Sequence, residues 1–591
     1  MGTFGRLMTF LRPHRRAVVL SLLLAGLAMG GTVLIPALTG MAVEAIQEND
    51  RGALTTIGLA IAGAGAVRWL LSILRRIISG RVSLGVDLDL REQMYAHLQS
   101  LELGFFDGQQ TGQLMSRATV DLQSVRFFLG YGLVWILQSA LTILFTAVAM
   151  LVIDPGLALL ALSPVPIVVW VARRYGIRSR PSLQEVQQRI AELTAEVEED
   201  IGGVRVVKAF AREGRQYARF ERAVARVFDE SMIATRIRAF YNPLIGFLPQ
   251  IGLALLLVVG GRQVVRGDLG LGEFTAFYAY LLALLGPMRS LGVSLSFAQR
   301  ATASGVRIFE LLDRAPQIVA PPDPRPLPPG NGHVELRGVT FAYASAPAPT
   351  LVDVDLDVAG GTTLALVGVT GTGKTTLVAL LSRLYDPQEG CVLLDGVDVR
   401  ELDPHELRAA VAHVNDDPFL FSASVHENIA YARPDASREE VVDAGRRAQA
   451  HDFIEELPEG YDTRVGERGL TLSGGQRQRV AIARALVADP RVLVLDDATS
   501  SVDASTEQRI KLALREAMTG RTTFVIAHRL STIALADEIA VIENGRIAAR
   551  GTHDDLLEVN DLYREIVERG LPDQVFLTRK PRESERKVAG L

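Results

Sequence analysis

Residues 17–43 contain no charged side chain. The run exceeds the roughly 7–15 apolar residues of a secretory signal and is long enough to cross a hydrocarbon core of ~30 Å. Further apolar stretches follow at 54–74, 130–153, 156–171, 244–260 and 274–293. Lipid offers no water to satisfy a backbone, so each stretch is expected to be a helix. The loops after the first, third and fifth stretches are short, and the segments after the second and fourth are long and charged. An even number of crossings puts both chain ends on one side. Arg15, Arg16, Arg75, Arg76, Arg81, Arg173 and Arg174 fall on that side and assign it to the cytoplasm. Arg262 and Arg266 lie opposite, which weakens the assignment without reversing it.

The long segments 75–128 and 173–241 are rich in Leu, Glu, Gln, Arg and Ala. They are expected to continue as helices out of the membrane, with breaks near Phe106-Asp107-Gly108 and Glu213-Gly214. Arg68 and Arg289 fall inside apolar stretches. An intramembrane charge needs a partner or a wet cavity. Contact with an anionic or amphiphilic substrate is one reading; an interhelical pair or snorkelling to the boundary is the preferred one. Pro287 is expected to kink the sixth helix.

Apolar residues crowd the first half of the chain and charges the second, at 48% and 22% of the whole. A net charge of -5 gives no sign of nucleic-acid binding. The single cysteine, Cys391, excludes an intramolecular disulfide or a cysteine metal cluster and reads as a small core residue. The membrane domain is expected over 1–312. A connector over 313–332 carries Pro316, Pro321, Pro322, Pro324, Pro326, Pro328 and Pro329, too dense for a helix or central strand. Over 333–570 short β-branched runs alternate with helical segments, the pattern of an α/β domain with a largely parallel sheet. The tail, 571–591, is polar and charged.

That second domain holds the chemistry. Gly368-Val369-Thr370-Gly371-Thr372-Gly373-Lys374-Thr375, with Thr376 after it, follows an apolar strand and opens a helix. This is the context a phosphate-binding loop requires. Its glycines let backbone N–H groups close around phosphates, and the helix N-terminus adds positive potential. Lys374 is placed to neutralise the β- and γ-phosphates of ATP, and the Thr375 hydroxyl to ligate Mg²⁺. Asp496 ends the apolar run Val492-Leu493-Val494-Leu495 and fits the acid that holds the same ion.

Together these segments resemble an ATP-binding cassette transporter of the exporter type, one half-transporter per chain, over residues 1–570. The resemblance implies a multidomain fold: an all-α six-helix transmembrane domain with long cytoplasmic extensions, then an α/β P-loop nucleotide-binding domain. Leu472-Ser473-Gly474-Gly475-Gln476 matches the family signature, which caps the γ-phosphate of ATP held by the partner chain. His528 matches the switch histidine and Tyr343 the aromatic that stacks on adenine. Ser500-Ser501-Val502-Asp503 resembles the D-loop. The stretch from Thr463 to Gly469 resembles the loop that senses the membrane domain. Phe105-Phe106-Asp107, Thr111-Gly112, Ser116-Arg117 and Val207-Lys208-Ala209-Phe210 resemble stretches that carry the coupling helices.

The chain departs from the family at two positions. The family usually has a water-polarising glutamate where Asp497 stands, and a glutamine that touches Mg²⁺ and the water where Asp416 stands. Asp497 draws the carboxylate back by about 1 Å, a misplacement that can cost ~10²-fold. Asp416 can still ligate Mg²⁺ but adds negative charge beside the γ-phosphate. Both changes fall on one nucleotide site, while the signature is intact. The resemblance therefore implies a heterodimer with a homologous half-transporter, in which this chain's phosphate loop builds the weaker site. A homodimeric slow exporter, an importer with the exporter fold and an ATP-sensing regulatory or channel-like subunit remain the alternatives. The expected setting is a bacterial plasma membrane, and the expected cargo a small or lipid-like molecule.

Overall fold

The computed structural model describes residues 2–466, 469, 471–496, 504–527 and 529–569, with the side chains of 288–295, 504–506, 531 and 569 left out. Arg289's side chain, Asp497, His528, residues 500–503, Glu467, Arg468 and the tail lie outside what is described. The chain divides into two compact units: Met1–His97 with Gly112–Arg314, and Leu98–Thr111 with Ala315–Leu591.

The first unit is helical. A short helix α1 (Thr3–Thr9) leads into α2 (Arg15–Gln47) and α3 (Arg51–Ser100). A second short helix, α4 (Leu103–Asp107), belongs to the other unit. Then come α5 (Thr111–Ile153), α6 (Pro155–Gly202), α7 (Val204–Ala209), α8 (Glu213–Arg266) and α9 (Leu271–Leu312). Among the described residues, α2, α3, α5, α6 and α8 are long and apolar enough to cross a membrane, and Leu271–Pro287 of α9 is a shorter apolar stretch. Each of the six expected stretches falls inside one of these helices. The helix α9 continues on both sides of Pro287.

Local chemistry sets the ends. The Asp154 carboxylate accepts from the Leu157 N–H, and Pro155 takes the first helical position, so α6 starts there. Gly267 closes α8 at φ 84°. The turn expected at Glu213-Gly214 lies slightly earlier, at 210–212, where Ala211 takes φ 50°; Glu213 is already the first residue of α8. In the packed centre, Phe277, Tyr280 and Leu284 of α9 meet Met150, Leu157 and Leu256. The Tyr280 hydroxyl donates to the Val33 carbonyl at 2.8 Å. The helices α2 and α9 approach so closely that a Cβ on Gly40 would lie 2.5 Å from the Gly272 carbonyl oxygen. Arg68 is exposed and has no ion-pair partner among the described residues, so of the two preferred readings the interhelical pair is not seen, while snorkelling is compatible with its exposure.

Among the described residues, the second unit holds two sheets. The six-stranded sheet runs β10-β9-β3-β8-β7-β6, built from β3 (Thr363–Val367), β6 (Val411–Val414), β7 (Val492–Asp496), β8 (Thr522–Ile526), β9 (Glu538–Glu543) and β10 (Arg546–Gly551). It is parallel except for β10. Both faces are covered: Ala365, Val367, Leu493 and Leu495 enter one core, and Leu364, Leu366, Val492 and Val494 the other. That is why these strands read as unbroken apolar runs. A separate antiparallel sheet, β2-β1-β4-β5, comprises β1 (Val334–Phe341), β2 (Leu351–Val358), β4 (Glu389–Leu394) and β5 (Val397–Asp398). Cys391 is only half-buried there, opposite Arg337. Val392 and Leu394 are the β4 residues that join the core, which corrects its assignment as a core residue.

Candidate nucleotide site

The parallel strands bring distant motifs to one edge. Leu366 of β3 and Asp496 of β7 both pair with Ile526 of β8, so the phosphate loop and Asp496 leave the sheet at the same level. Two loop glycines are sterically required. A Cβ on Gly368 would lie 2.4 Å from the Ile542 carbonyl oxygen, and Gly373 combines φ 100° with a Cβ position 2.7 Å from Leu351. The helix α10 (Lys374–Leu381) then begins without a side-chain cap, leaving its first-turn N–H groups free of a side-chain acceptor. Thr370, Gly371 and Thr375 are exposed at the loop surface, with Thr372 half-buried beside them.

The ammonium of Lys374 is buried and curls back over the loop, donating to the carbonyls of Gly368 (2.8 Å) and Val369 (3.0 Å). Burial lowers its pKa, and the Asp496 carboxylate opposes that shift. Thr375 Oγ1 donates to Asp496 Oδ2 at 3.4 Å. On the other side of α10, the Tyr343 hydroxyl lies 3.0 Å from Thr376 Oγ1. The set fits a nucleoside triphosphate: a cation, free amides and small exposed loop residues for phosphate, and a hydroxyl beside a carboxylate for an oxygen-liganded cation.

Asp416 arrives from the neighbouring strand. Val414 of β6 pairs with Leu495 of β7, so the chain leaves β6 toward exposed Asp416 at the edge where Asp496 leaves β7. The signature stands apart. Ser473 is the N-cap of α11 (Gly474–Ala488); its Oγ accepts from the Gln476 N–H at 3.3 Å, and Gln476 Oε1 accepts from the Ser473 N–H at 2.8 Å. Among the described residues, Ser473, Gly474, Gly475 and Gln476 make no hydrogen bond to the phosphate loop.

Two family models match: the ABC transporter transmembrane region over residues 18–288, and the ABC transporter domain over 351–500. A lipid A-core flippase of Syntrophus aciditrophicus is 36% identical, over 94% of this chain and 92% of its own length. The chain belongs to the ABC transporter family. A multidrug efflux ATP-binding/permease protein of Mycobacterium tuberculosis is 38% identical over 95% of this chain, which matches 47% of that protein's length. A solved bacterial Atm1-family ABC exporter with ATP bound superposes at a TM-score of 0.78, with 32% identity over 94% of this chain and 98% of that one. This ABC transporter is thus of the exporter type: a multi-pass membrane protein with a cytoplasmic nucleotide-binding domain that binds ATP and couples its hydrolysis to transport.

The structure of the ABC transporter also adds residues that the sequence did not single out. Gln478 donates to the Asn415 carbonyl (3.3 Å) and Arg477 pairs with Asp417 (3.6 Å). Arg484 donates to the carbonyls of Phe419 (3.1 Å) and Asn428 (2.9 Å). These three side chains of α11 tie the stretch around Asp416 to the signature helix of the same chain. Their spacing along an amphipathic helix carried no distinctive signal.

Proposed function

We propose that this chain is one half of a heterodimeric exporter and that its own phosphate loop builds the weaker of two ATP sites. The observation that carries this is internal to the chain: an intact signature beside substitutions at Asp416 and Asp497. We assign the membrane domain to 1–312, the linker to 313–332, the ATP-binding domain to 333–570 and the tail to 571–591. In the nucleotide site, Gly368, Thr370, Gly371, Thr372, Gly373 and Thr376 line the phosphates and Lys374 neutralises them. Thr375, Asp496 and Asp416 hold Mg²⁺, which supplies charge neutralisation when bound. Tyr343 carries the adenine. Asp497 occupies the position of the base, and His528 that of the switch. Ser473, Gly474, Gly475 and Gln476 cap the ATP of the partner half, whose glutamate does the fast chemistry. The length of the mycobacterial relative supports working in paired halves. For cargo we propose a lipid-like or amphiphilic molecule, in keeping with relatives named for multidrug efflux and lipid A-core flipping.

Phosphate release by the purified chain, alone and with a partner half, tests this. The chain alone should be nearly inactive and the pair active. Asp497→Glu should raise the chain's own rate by up to about 10²-fold. Brisk hydrolysis by the chain alone, abolished by Asp497→Asn, would make Asp497 a working base and a homodimer the better reading.

A further inference from the structure

One arginine at the membrane boundary is buried without a counter-charge. Arg75 follows the apolar run 54–74 of α3, yet only 9% of it is exposed. Among the described residues it makes no hydrogen bond and no ion pair, and its Nε is buried without an acceptor. The neighbouring charge that acts on it is that of Arg76, of the same sign. A guanidinium cannot escape by losing its proton. A charge left buried and unpaired is among the costliest arrangements a fold can keep. Water can bond the N–H groups but brings no counter-charge, so the residue calls for an anion.

Two hydroxyls lie one turn along the same face. Ser79 stands four residues after Arg75 on α3 and is buried, as is Ser21 of α2. Their oxygens are 2.7 Å apart. One hydroxyl donates and the other accepts, so the accepting one keeps its own proton to give. A guanidinium and a spare hydroxyl proton suit a phosphate. Position selects the carrier of that phosphate. Ser21 and Arg75 both lie at the cytoplasmic ends of their apolar runs, 17–43 and 54–74, at the level of lipid headgroups. The apolar window of α3 has none of its residues buried, and Trp69, Leu70 and Leu74 are exposed, so acyl chains can lie along the helix that carries the cation. We propose that Arg75, with the Ser21–Ser79 pair, holds the phosphate of an anionic phospholipid of the cytoplasmic leaflet as a resident ligand. A zwitterionic lipid brings its own cation to the same phosphate and neutralises Arg75 less well. The site concerns neither the nucleotide nor the cargo, so it does not rest on the function proposed above.

The test is native mass spectrometry of the full chain released from maltoside micelles and titrated with phosphatidylglycerol, phosphatidylcholine or inorganic phosphate. Wild type should bind phosphatidylglycerol about tenfold more tightly than phosphatidylcholine. Arg75→Met, which keeps the apolar stem, should lose about tenfold or more of that affinity. Arg76→Met removes an exposed charge one residue away and should keep it within about twofold. Equal losses in the two variants would overturn the site, since any nearby charge would then serve. Inorganic phosphate that displaces the lipid at equal concentration would overturn the lipid as occupant. Thermal unfolding of the same proteins guards against a variant that merely misfolds. Without lipid, Arg75→Met should melt no lower than wild type, because it removes an unpaired charge. Phosphatidylglycerol should raise the wild-type midpoint and leave that of Arg75→Met in place. A lower midpoint in lipid-free Arg75→Met would mean that the guanidinium has a protein partner, and the proposal would fall. Ser21→Ala combined with Ser79→Ala keeps the charge and should cost about threefold in phosphatidylglycerol affinity; an unchanged affinity would overturn the part given to the hydroxyls.

Discussion

Two helices of this chain begin at motifs that the sequence ties to ATP, one at the phosphate loop and one at the signature, and they begin differently. The first turn of α10 has Gly373 at its N-cap and no side-chain acceptor, while α11 has Ser473 and Gln476 satisfying each other's backbone N–H groups. An uncapped N-terminus with Lys374, Thr375 and Asp496 around it is a seat that its own chain completes. A capped one already has its shape and needs nothing nearby to hold it. Since Ser473 Oγ accepts from Gln476, its own O–H is left to donate. The uncapped start leaves N–H groups for an anion, and the capped start has already used its own, as the proposed division between a home site and a partner site requires.

The largest break in that comparison should come from Lys374→Ala. It removes the buried cation over the loop, and ATP affinity of this chain's own loop, measured by nucleotide titration, should fall by about 10²-fold; an unchanged affinity would show that α10 is not the seat. The far end of α10 offers the next effect. His413 Nε2 lies 2.9 Å from Ser382 Oγ just past the helix, and burial pushes the His413 pKa down to about 4. Its unfolded value is about 6.5, so the unfolded chain binds the extra proton first. The stability is fully present above that value and is lost as pH falls from about 6.5 toward 4, by up to about 3 kcal/mol. Calorimetric unfolding at stepped pH should show this slope, and His413→Gln should flatten it; an equal slope in both would sink the assignment. The smallest effect belongs to α11. Ser473→Ala should cost about 1 kcal/mol of stability and slow hydrolysis by the paired assembly, with ATP affinity of this chain's own loop unchanged. A matching fall in own-loop affinity would erase the distinction between the two ends.

Much of this was legible because it is local. The apolar stretches announce themselves by length, and the loop 368–376 by glycines that only a close backbone approach explains. Asp496 follows from the strand it ends. What could not be read joins ordinary residue types across long separations. Nothing in a tyrosine at 385 announces an aspartate at 107, and Gln478 carries no mark of the Asn415 carbonyl it holds. The split into two sheets was hidden for a related reason: β1 and β4 pair across the whole of β2, β3 and α10. Cys391 was misjudged because composition reports the company of a residue in sequence, while the strand's facing decides its company in space.

The assignment of Leu98–Thr111 to the nucleotide-binding unit bears on how the protein is made. A ribosome releases that segment well before any strand of the domain it will join. Until Gln317 and the turn bearing Tyr385 have been synthesised, α4 lacks its bed, and its Phe105 side chain, buried in the finished fold, stays open to the cytosol. The waiting therefore falls on α4, which is delivered early to a bed that arrives late, and a chaperone that shields it in the interval would protect assembly.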